Sequence, residues 1–134
     1  MVETFEDITA PLTEDELTVL PYLIAGLEKR TSKNPIRSPE IVKGLNANLD
    51  KYPIKKKKFK ITGTRLRKMI NHLRINSICP VMATSDGYFT STDPEEIERN
   101  IRSLKDRARA ILAAADGLNA FLVPGFKPAT LFDK

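Results

Sequence analysis

The side chains best suited to binding a ligand in this sequence are basic residues gathered between Lys51 and Ser85. This stretch holds ten of the chain's 22 Lys and Arg residues and no Asp or Glu. It therefore carries about +10, whereas the other 99 residues carry −5 and the whole chain +5. Clustered positive charge on a small domain attracts polyanions, so the stretch predicts a nucleic-acid-binding surface.

Catalytic and metal chemistry is not expected. The glycines are scattered rather than gathered in a phosphate-binding loop, and no motif places a nucleophile beside the single histidine, His72. Glu95 and Glu96 lie at a predicted helix start, where the helix dipole accounts for them. With one His and one Cys, a zinc site built from these residue types is excluded. We therefore expect neither an enzyme nor a cofactor.

Length and composition indicate a soluble globular protein. The 134 residues are one domain's worth, with 41% hydrophobic and 29% charged residues. No apolar run approaches the roughly 18–20 residues of a membrane span, and the acidic start of the chain is unlike a signal peptide. Cys79 is the only cysteine, which excludes an internal disulfide and favours a cytoplasmic location. Beside Ile78, it is expected to be a buried small hydrophobe.

Two helices are predicted before the basic stretch. Thr13 and Glu16 have the spacing of a capping box, and Pro21 should kink or split the helix that follows. Ser38 is the expected N-cap of a short second helix, with Pro39 at its first position. The expected inner face of the first helix is Leu17, Leu20, Ile24 and Leu27.

The basic stretch itself divides into a loop and a helix. Four adjacent lysines at 55–58 repel one another and are placed on a solvated loop. After Thr62 as N-cap, a helix presents an apolar face at i, i+3, i+4 and i+7 spacing: Leu66, Met69, Ile70 and Leu73. Its opposite face is polar and basic, which is what insertion into the DNA major groove requires: Thr64, Lys68 and Asn71, flanked by Arg65, Arg67, His72 and Arg74.

The residue types on this face suggest individual contacts. Arg can recognise guanine and Asn can recognise adenine in the major groove, so base contacts are expected from Thr64, Arg65, Lys68 and Asn71. Phosphate contacts are expected from Arg67 and Arg74, with His72 near phosphate. The loop is expected to hold the DNA backbone through Lys55, Lys56, Lys57, Lys58 and Lys60. The alternative is that the lysines only form a solvated loop and that the helix face is only a soluble surface.

A hairpin and a long helix are predicted next. Asp86-Gly87 is a strong turn signal between strands at 81–84 and 88–90. The last helix begins after Asp93 and continues to about Leu122, with apolar residues in 4-3 spacing: Ile97, Ile101, Leu104, Ala108, Ile111, Ala115, Leu118 and Leu122. Its first half is expected to pack on its own domain. Its second half is expected to pair with a second copy through Ile111, Ala115, Leu118 and Leu122.

This order of elements resembles the winged-helix variant of helix-turn-helix domains. The resemblance is carried by residues 62–74 and 85–89, and the segment up to Ala110 is similar to small proteins of bacteriophages and other mobile elements. It implies double-stranded DNA binding, with the helix after Thr62 in the major groove. The tip Ser85-Asp86-Gly87 departs from the pattern because an acidic wing repels phosphate. The lysine loop is expected to take over the backbone contacts.

The predicted fold is mainly α with a small β-hairpin (α+β), specifically a winged helix-turn-helix with a long C-terminal helix. We expect a flexible arm at 1–11, a winged-helix domain at 12–110, and a helical extension and tail at 111–134. The expected function is DNA binding by a phage or mobile-element protein, in transcription regulation or as a replication or recombination accessory factor.

Two alternatives to DNA binding remain. The main one is a protein-interaction adaptor, which the acidic wing tip and the uncharged flanks of the heptad seam favour. RNA binding is the third possibility, although Tyr52 and Phe59 are the only aromatics among the lysines. The tail, with Phe126, Leu131 and Phe132, either inserts into a partner's groove, folds back on the domain or is disordered.

Overall fold

The computed structural model describes residues 10–129. Over these residues the chain is mainly helical, with one small antiparallel hairpin, which confirms the α+β class. The helices are α1 (Glu14–Glu28), α2 (Ser38–Ala47), α3 (Gly63–Ile75) and α4 (Pro94–Asn119), with 3-10 turns at Leu49–Lys51 and Ala120–Leu122. The strands are β1 (Val81–Thr84) and β2 (Gly87–Thr90).

The chain forms two compact units that divide between Ile97 and Glu98. The first contains α1 to α3 and the hairpin, and the second contains most of α4 and the residues after it. This division lies earlier in the chain than the boundary at Ala110 suggested by the sequence. None of the described helices is long and apolar enough to cross a membrane.

Helix α1 begins with the predicted capping box. The Thr13 hydroxyl accepts the Glu16 N–H at 3.3 Å, and the Glu16 carboxylate accepts the Thr13 N–H at 2.8 Å. The helix continues through Pro21, so the expectation of a split there is wrong. The buried face of α1 also differs from the predicted inner face. Leu17 is 49% exposed, because Glu16 occupies the inner face one residue earlier, in line with Leu20, Leu23 and Leu27.

The core of the first unit lies where α1, α2 and α3 meet. All four predicted inner residues of α3 are buried there, and Cys79 is buried as expected. Helix α2 contributes Ile41 and Leu45. It begins at Ser38 and has Arg37 in the N-cap position, so the prediction of Ser38 as the cap is wrong by one residue. With Pro39 fixed near the helical φ, Ser38 joins the first turn instead.

The hairpin is completed by a residue from before α2. Val81 pairs with Thr90 and Thr84 with Gly87. Ile36 exchanges two backbone hydrogen bonds with Tyr88, at 2.9 and 2.8 Å. Gly87 has a φ of 134°, and a Cβ there would lie 2.5 Å from the Ile36 carbonyl oxygen. The close approach of the Ile36 backbone therefore requires glycine at this position.

This geometry makes Gly87→Ala destabilising. We expect a loss of about 2–3 kcal/mol, because the substitution adds backbone strain and a clash with the Ile36 backbone. Urea unfolding measures the difference. The matched control is Gly26→Ala in α1, where an added Cβ meets nothing within 4 Å. That change should gain about 0.5–1 kcal/mol. Equal stability of the Gly87→Ala protein and the wild type would contradict the account.

Candidate nucleic-acid interface

The basic stretch is fastened to the first turn of α1 by a buried carboxylate. Glu16 is 1% exposed and uses both of its oxygens. Oε1 accepts hydrogen bonds from Lys68 Nζ and from the Thr13 N–H, each at 2.8 Å. Oε2 accepts one from Arg65 Nε, also at 2.8 Å. One side chain of α1 thus joins two basic residues of α3 and caps its own helix.

The surroundings of Glu16 favour its ionised form. Burial acts to raise the pKa of this carboxyl, but the hydrogen bonds from Lys68, Thr13 and Arg65 outweigh burial and lower the pKa below its ordinary value. A carboxyl whose pKa is lower in the folded state contributes stability above its unfolded pKa. That contribution is lost as the pH falls through the folded value.

Replacing Glu16 by Gln should therefore cost about 2–3 kcal/mol at neutral pH. This is below the usual cost of breaking a buried pair, because the Arg65 side chain keeps 31% exposure. The difference from wild type should shrink as the pH falls from the unfolded carboxyl pKa of about 4.3 through the lower folded pKa, because the wild-type carboxyl takes up a proton over that range. Urea unfolding at several pH values measures it. Glu14→Gln is the matched control, since Glu14 only pairs with Lys55 at the surface and should cost less than about 1 kcal/mol. Equal effects of the two changes would contradict this role of Glu16.

The lysine loop is fixed at its base by the neighbouring carboxylate. Asp15, 3% exposed, accepts the backbone N–H of Lys55 at 2.8 Å and that of Lys56 at 3.1 Å. The Lys55 hydrogen bond, aided by the one from Lys56, holds the pKa of Asp15 below its usual value against the opposing effect of burial. The expected loop is present, but its backbone is anchored to α1.

The far end of the loop is anchored in the core. Phe59 and Ile61 are buried, and the Phe59 N–H donates to the Lys56 carbonyl at 3.0 Å, which closes a turn. The Asn46 side chain of α2 accepts the Ile61 N–H at 2.8 Å and donates to the Ile61 carbonyl at 2.9 Å. The side chains between these anchors point to solvent, and those of Lys56, Lys57, Lys58 and Lys60 are exposed.

Two residues predicted to contact bases are occupied within the fold. The Arg65 guanidinium binds Glu16, lies 4.5 Å from the centre of the Phe59 ring, and donates to the Lys60 carbonyl at 2.7 Å. The Lys68 side chain is 12% exposed and its ammonium binds Glu16. Both residues hold α3 against α1, and Arg65 also braces the lysine loop.

The remaining predicted residues of α3 have mixed environments. Arg67 is exposed, and Thr64 and Asn71 are half-buried. Asn76 donates its side-chain amide to the His72 carbonyl at 3.0 Å, and that amide nitrogen lies 3.3 Å from His72 Nδ1. Arg74 Nε donates to the Val81 carbonyl at 2.9 Å. The structure therefore places Arg74 at the junction of α3 and β1.

The acidic first turn of α1 also reduces the positive charge of this region. Glu14 pairs with the Lys55 ammonium, Asp15 binds the Lys55 and Lys56 backbone, and Glu16 binds Arg65 and Lys68. Counting these three carboxylates with the ten basic residues lowers the local charge from +10 to +7. Besides Lys51, and Lys55 with its partner Glu14, the stretch has five exposed basic side chains, which we call the basic face: Lys56, Lys57, Lys58, Lys60 and Arg67.

The aromatic side chains near the lysines are engaged within the fold. Tyr52 stacks on Tyr22 with ring centres 3.8 Å apart and an interplanar angle of 17°. Phe59 is buried beneath the Arg65 guanidinium. Neither ring forms an open platform on which an unpaired base can stack. Asp86 at the hairpin tip is exposed, so a phosphate near that tip meets a negative charge.

The described part of the chain contains no group of three or more His, Cys, Asp or Glu able to hold a metal ion. Burial raises the pKa of the Cys79 thiol, which disfavours its reactive thiolate form. No family model, curated protein or solved structure matches this chain.

The predicted pairing helix presents its apolar residues to solvent. Ile111, Leu118 and Leu122 are 66%, 67% and 79% exposed, and Ala115 is exposed as well. Leu122 lies in the 3-10 turn after α4, so the helical part of the seam ends at Leu118. The first half was expected to pack on its own domain, where Ile97 is half-buried, and no residue of α4 is fully buried.

The tail residues are only partly covered by the structure. Phe126 is 43% exposed and packs edge-on against Phe121, with ring centres 5.3 Å apart. Leu131 and Phe132 lie outside the described residues, as does most of the expected N-terminal arm. Insertion of the tail into a partner's groove therefore stays one of the three predicted outcomes.

Proposed function

We propose that this protein binds double-stranded DNA through the basic face and the outer side of α3. One observation carries the proposal: the exposed lysines of an acid-free basic stretch lie on a loop anchored at both ends, beside a helix with a polar outer face. A loop that is already ordered loses little backbone entropy on binding, so more of the charge attraction is available for affinity.

The strength of the electrostatic contribution can be estimated. Each Lys or Arg that neutralises a phosphate adds about 0.9 to the slope of log K against log salt. Five such contacts from the basic face predict a slope of about −4 to −5. This dependence is steep enough to separate a DNA-binding surface from lysines that only improve solubility.

Helix α3 is proposed to enter the major groove. Thr64, Arg67 and Asn71 lie on its outer side and carry the proposed base and nearby phosphate contacts. Arg65 and Lys68, assigned to bases from the sequence, are now assigned to holding the helix in place. Three helices, a hairpin and a long helix, in that order, support assignment to the winged helix-turn-helix class.

The biological setting follows from the resemblance found in the sequence. We propose a phage or mobile-element protein of the cytoplasm that regulates transcription or assists replication or recombination. Pairing of two copies through Ile111, Ala115, Leu118 and Leu122 would join two DNA contacts and raise their combined affinity. The alternative function, a protein-interaction adaptor, is favoured by the exposed acidic hairpin tip and the exposed apolar side chains of α4.

Replacing Lys57, Lys58 and Lys60 by Ser should weaken binding to a random duplex and reduce the salt slope by about 2–3. Fluorescence anisotropy at several salt concentrations measures both quantities. The matched control replaces three exposed lysines of the same unit outside the basic stretch, Lys29, Lys33 and Lys43, which removes the same charge. Equal effects of the two triple changes would assign binding to net charge rather than to this face. No effect of the first change would make the lysine run a solvated loop.

Replacing Asn71 by Ala should relax sequence preference at one base pair, at a cost of about 1–3 kcal/mol for the preferred site. Affinity for random duplex should change little. Duplexes selected from a random library by the wild-type protein supply the preferred site. Asn34→Ala, on the exposed loop before α2, is the control. An unchanged selection profile for Asn71→Ala would contradict the placement of α3 in the groove.

A further inference from the structure

The charge of helix α4 changes along its length. Residues 94–98 contain three Glu and no basic residue, and residues 99–109 contain five Arg or Lys and one Asp. The next eleven residues, 110–120, contain Asp116 as their one charged side chain. The helix thus has an acidic start, a segment of charge +4 and a nearly uncharged end.

The uncharged end exposes large apolar side chains. Ile111, Leu112 and Leu118 are each more than 60% exposed, and Phe121 is 59% exposed. A helix whose apolar residues extend around much of its surface is typical of a helix buried by neighbours. An exposed apolar patch of this kind marks an interaction surface.

Apolar residues of the described helix also recur at 4-3 spacing, the pattern of a helix that packs along another helix. Within the second unit the helical part of this seam comprises Ile101, Leu104, Ala108, Ile111, Ala115 and Leu118. It spans 18 residues, or about 27 Å of helix. The exposure of the seam residues is larger towards the end of the helix. Ile101 and Leu104 are 43% and 41% exposed, whereas Leu118 is 67% exposed.

Charge decides how a second copy can pack along this seam. A parallel pair in register would set the +4 segments side by side and the three Glu beside three Glu, which is destabilising. An antiparallel pair centred between Arg109 and Ala110 sets residues 99–109 of each copy opposite residues 110–120 of the other. Every basic segment then faces a nearly uncharged one.

We propose that two copies of this chain pair through α4 as antiparallel helices in this register. The inference deepens the homodimer that forms part of the proposed function. The six helical seam residues of the second unit all find partners across the pair: Ile101 with the partner's Leu118, Leu104 with the partner's Ala115, and Ala108 with the partner's Ile111. Two of these three layers set a large side chain against an alanine, as interlocking packing requires.

The register also covers Leu112, which lies beside the seam. In this arrangement Lys105 is close to the partner's Leu112. Its aliphatic stem can lie over the leucine while its ammonium stays in water. The arrangement therefore uses both the apolar end and the basic segment of α4.

Disulfide trapping tests the orientation directly. In a Cys79→Ser background, Ile101→Cys and Leu118→Cys proteins of different tag length are mixed and oxidised. The antiparallel pair predicts that the mixed disulfide dominates, because two copies of residue 118 lie about 26 Å apart along the axis. Dominant disulfides between identical residues would overturn the proposal in favour of a parallel pair, and a statistical mixture of products would overturn any fixed register.

Sedimentation equilibrium without DNA tests whether the pair exists. Wild-type protein should dimerise with rising concentration, and Leu118→Glu should raise the dimer Kd by about a hundredfold or more, because two charges enter each dimer. Ala113→Glu, on the helix face opposite the seam, adds the same charge and should leave the Kd within about threefold. A monomer at every concentration overturns the proposal.

The helix pairing and the DNA-binding function are tested independently, so either can be rejected without the other. These measurements contain no DNA, so a dimer without DNA affinity would retain the helix pairing and reject the DNA function. A lipid surface is the other candidate occupant of this face. If wild-type protein is monomeric in solution but floats with vesicles of phosphatidylcholine and phosphatidylglycerol, and Leu118→Glu abolishes flotation, the face binds lipid and the pairing is rejected.

Discussion

The buried carboxylate of Glu16 is the interaction on which the first unit depends. Burying a charge is costly unless it is paired and hydrogen-bonded, and this one is bound by Arg65, Lys68 and the Thr13 N–H. The same side chain completes the cap of α1 and joins α1 to α3. Because Glu16 lies on the inner face of α1, that face differs from the one predicted, and Leu17 lies at the surface.

This constraint separates the basic residues that stabilise the fold from those that are exposed to solvent. Arg65 and Lys68 turn towards Glu16, and the Lys55 and Lys56 backbone is tied to Asp15. The other exposed basic side chains of the stretch are those of Lys51, the lysine loop and Arg67. Two of the three acidic residues in the first turn of α1, Asp15 and Glu16, are thus buried, where they support the loop and helix that present the basic side chains.

Local patterns predicted much of this fold. The capping box at Thr13, the apolar face of α3 and the Asp86-Gly87 turn each depend on residues a few positions apart, and each is present. Contacts distant in sequence were not predictable in this way. Glu16 lies 49 residues from Arg65 and 52 from Lys68, so their head groups seemed available for bases. The bridge between Ile36 and Tyr88 and the Asn46 contact with Ile61 were missed for the same reason.

The most direct test of the DNA-binding account is a two-dimensional ¹H–¹⁵N NMR titration of the whole chain with a random-sequence duplex at low salt. The account predicts shifts concentrated in the backbone amides of residues 56–60 and along the outer side of α3, with the hairpin tip around Asp86 unaffected. These shifts should disappear as salt is raised. Absence of shifts at low salt, or shifts confined to the hairpin tip or α4, would contradict it.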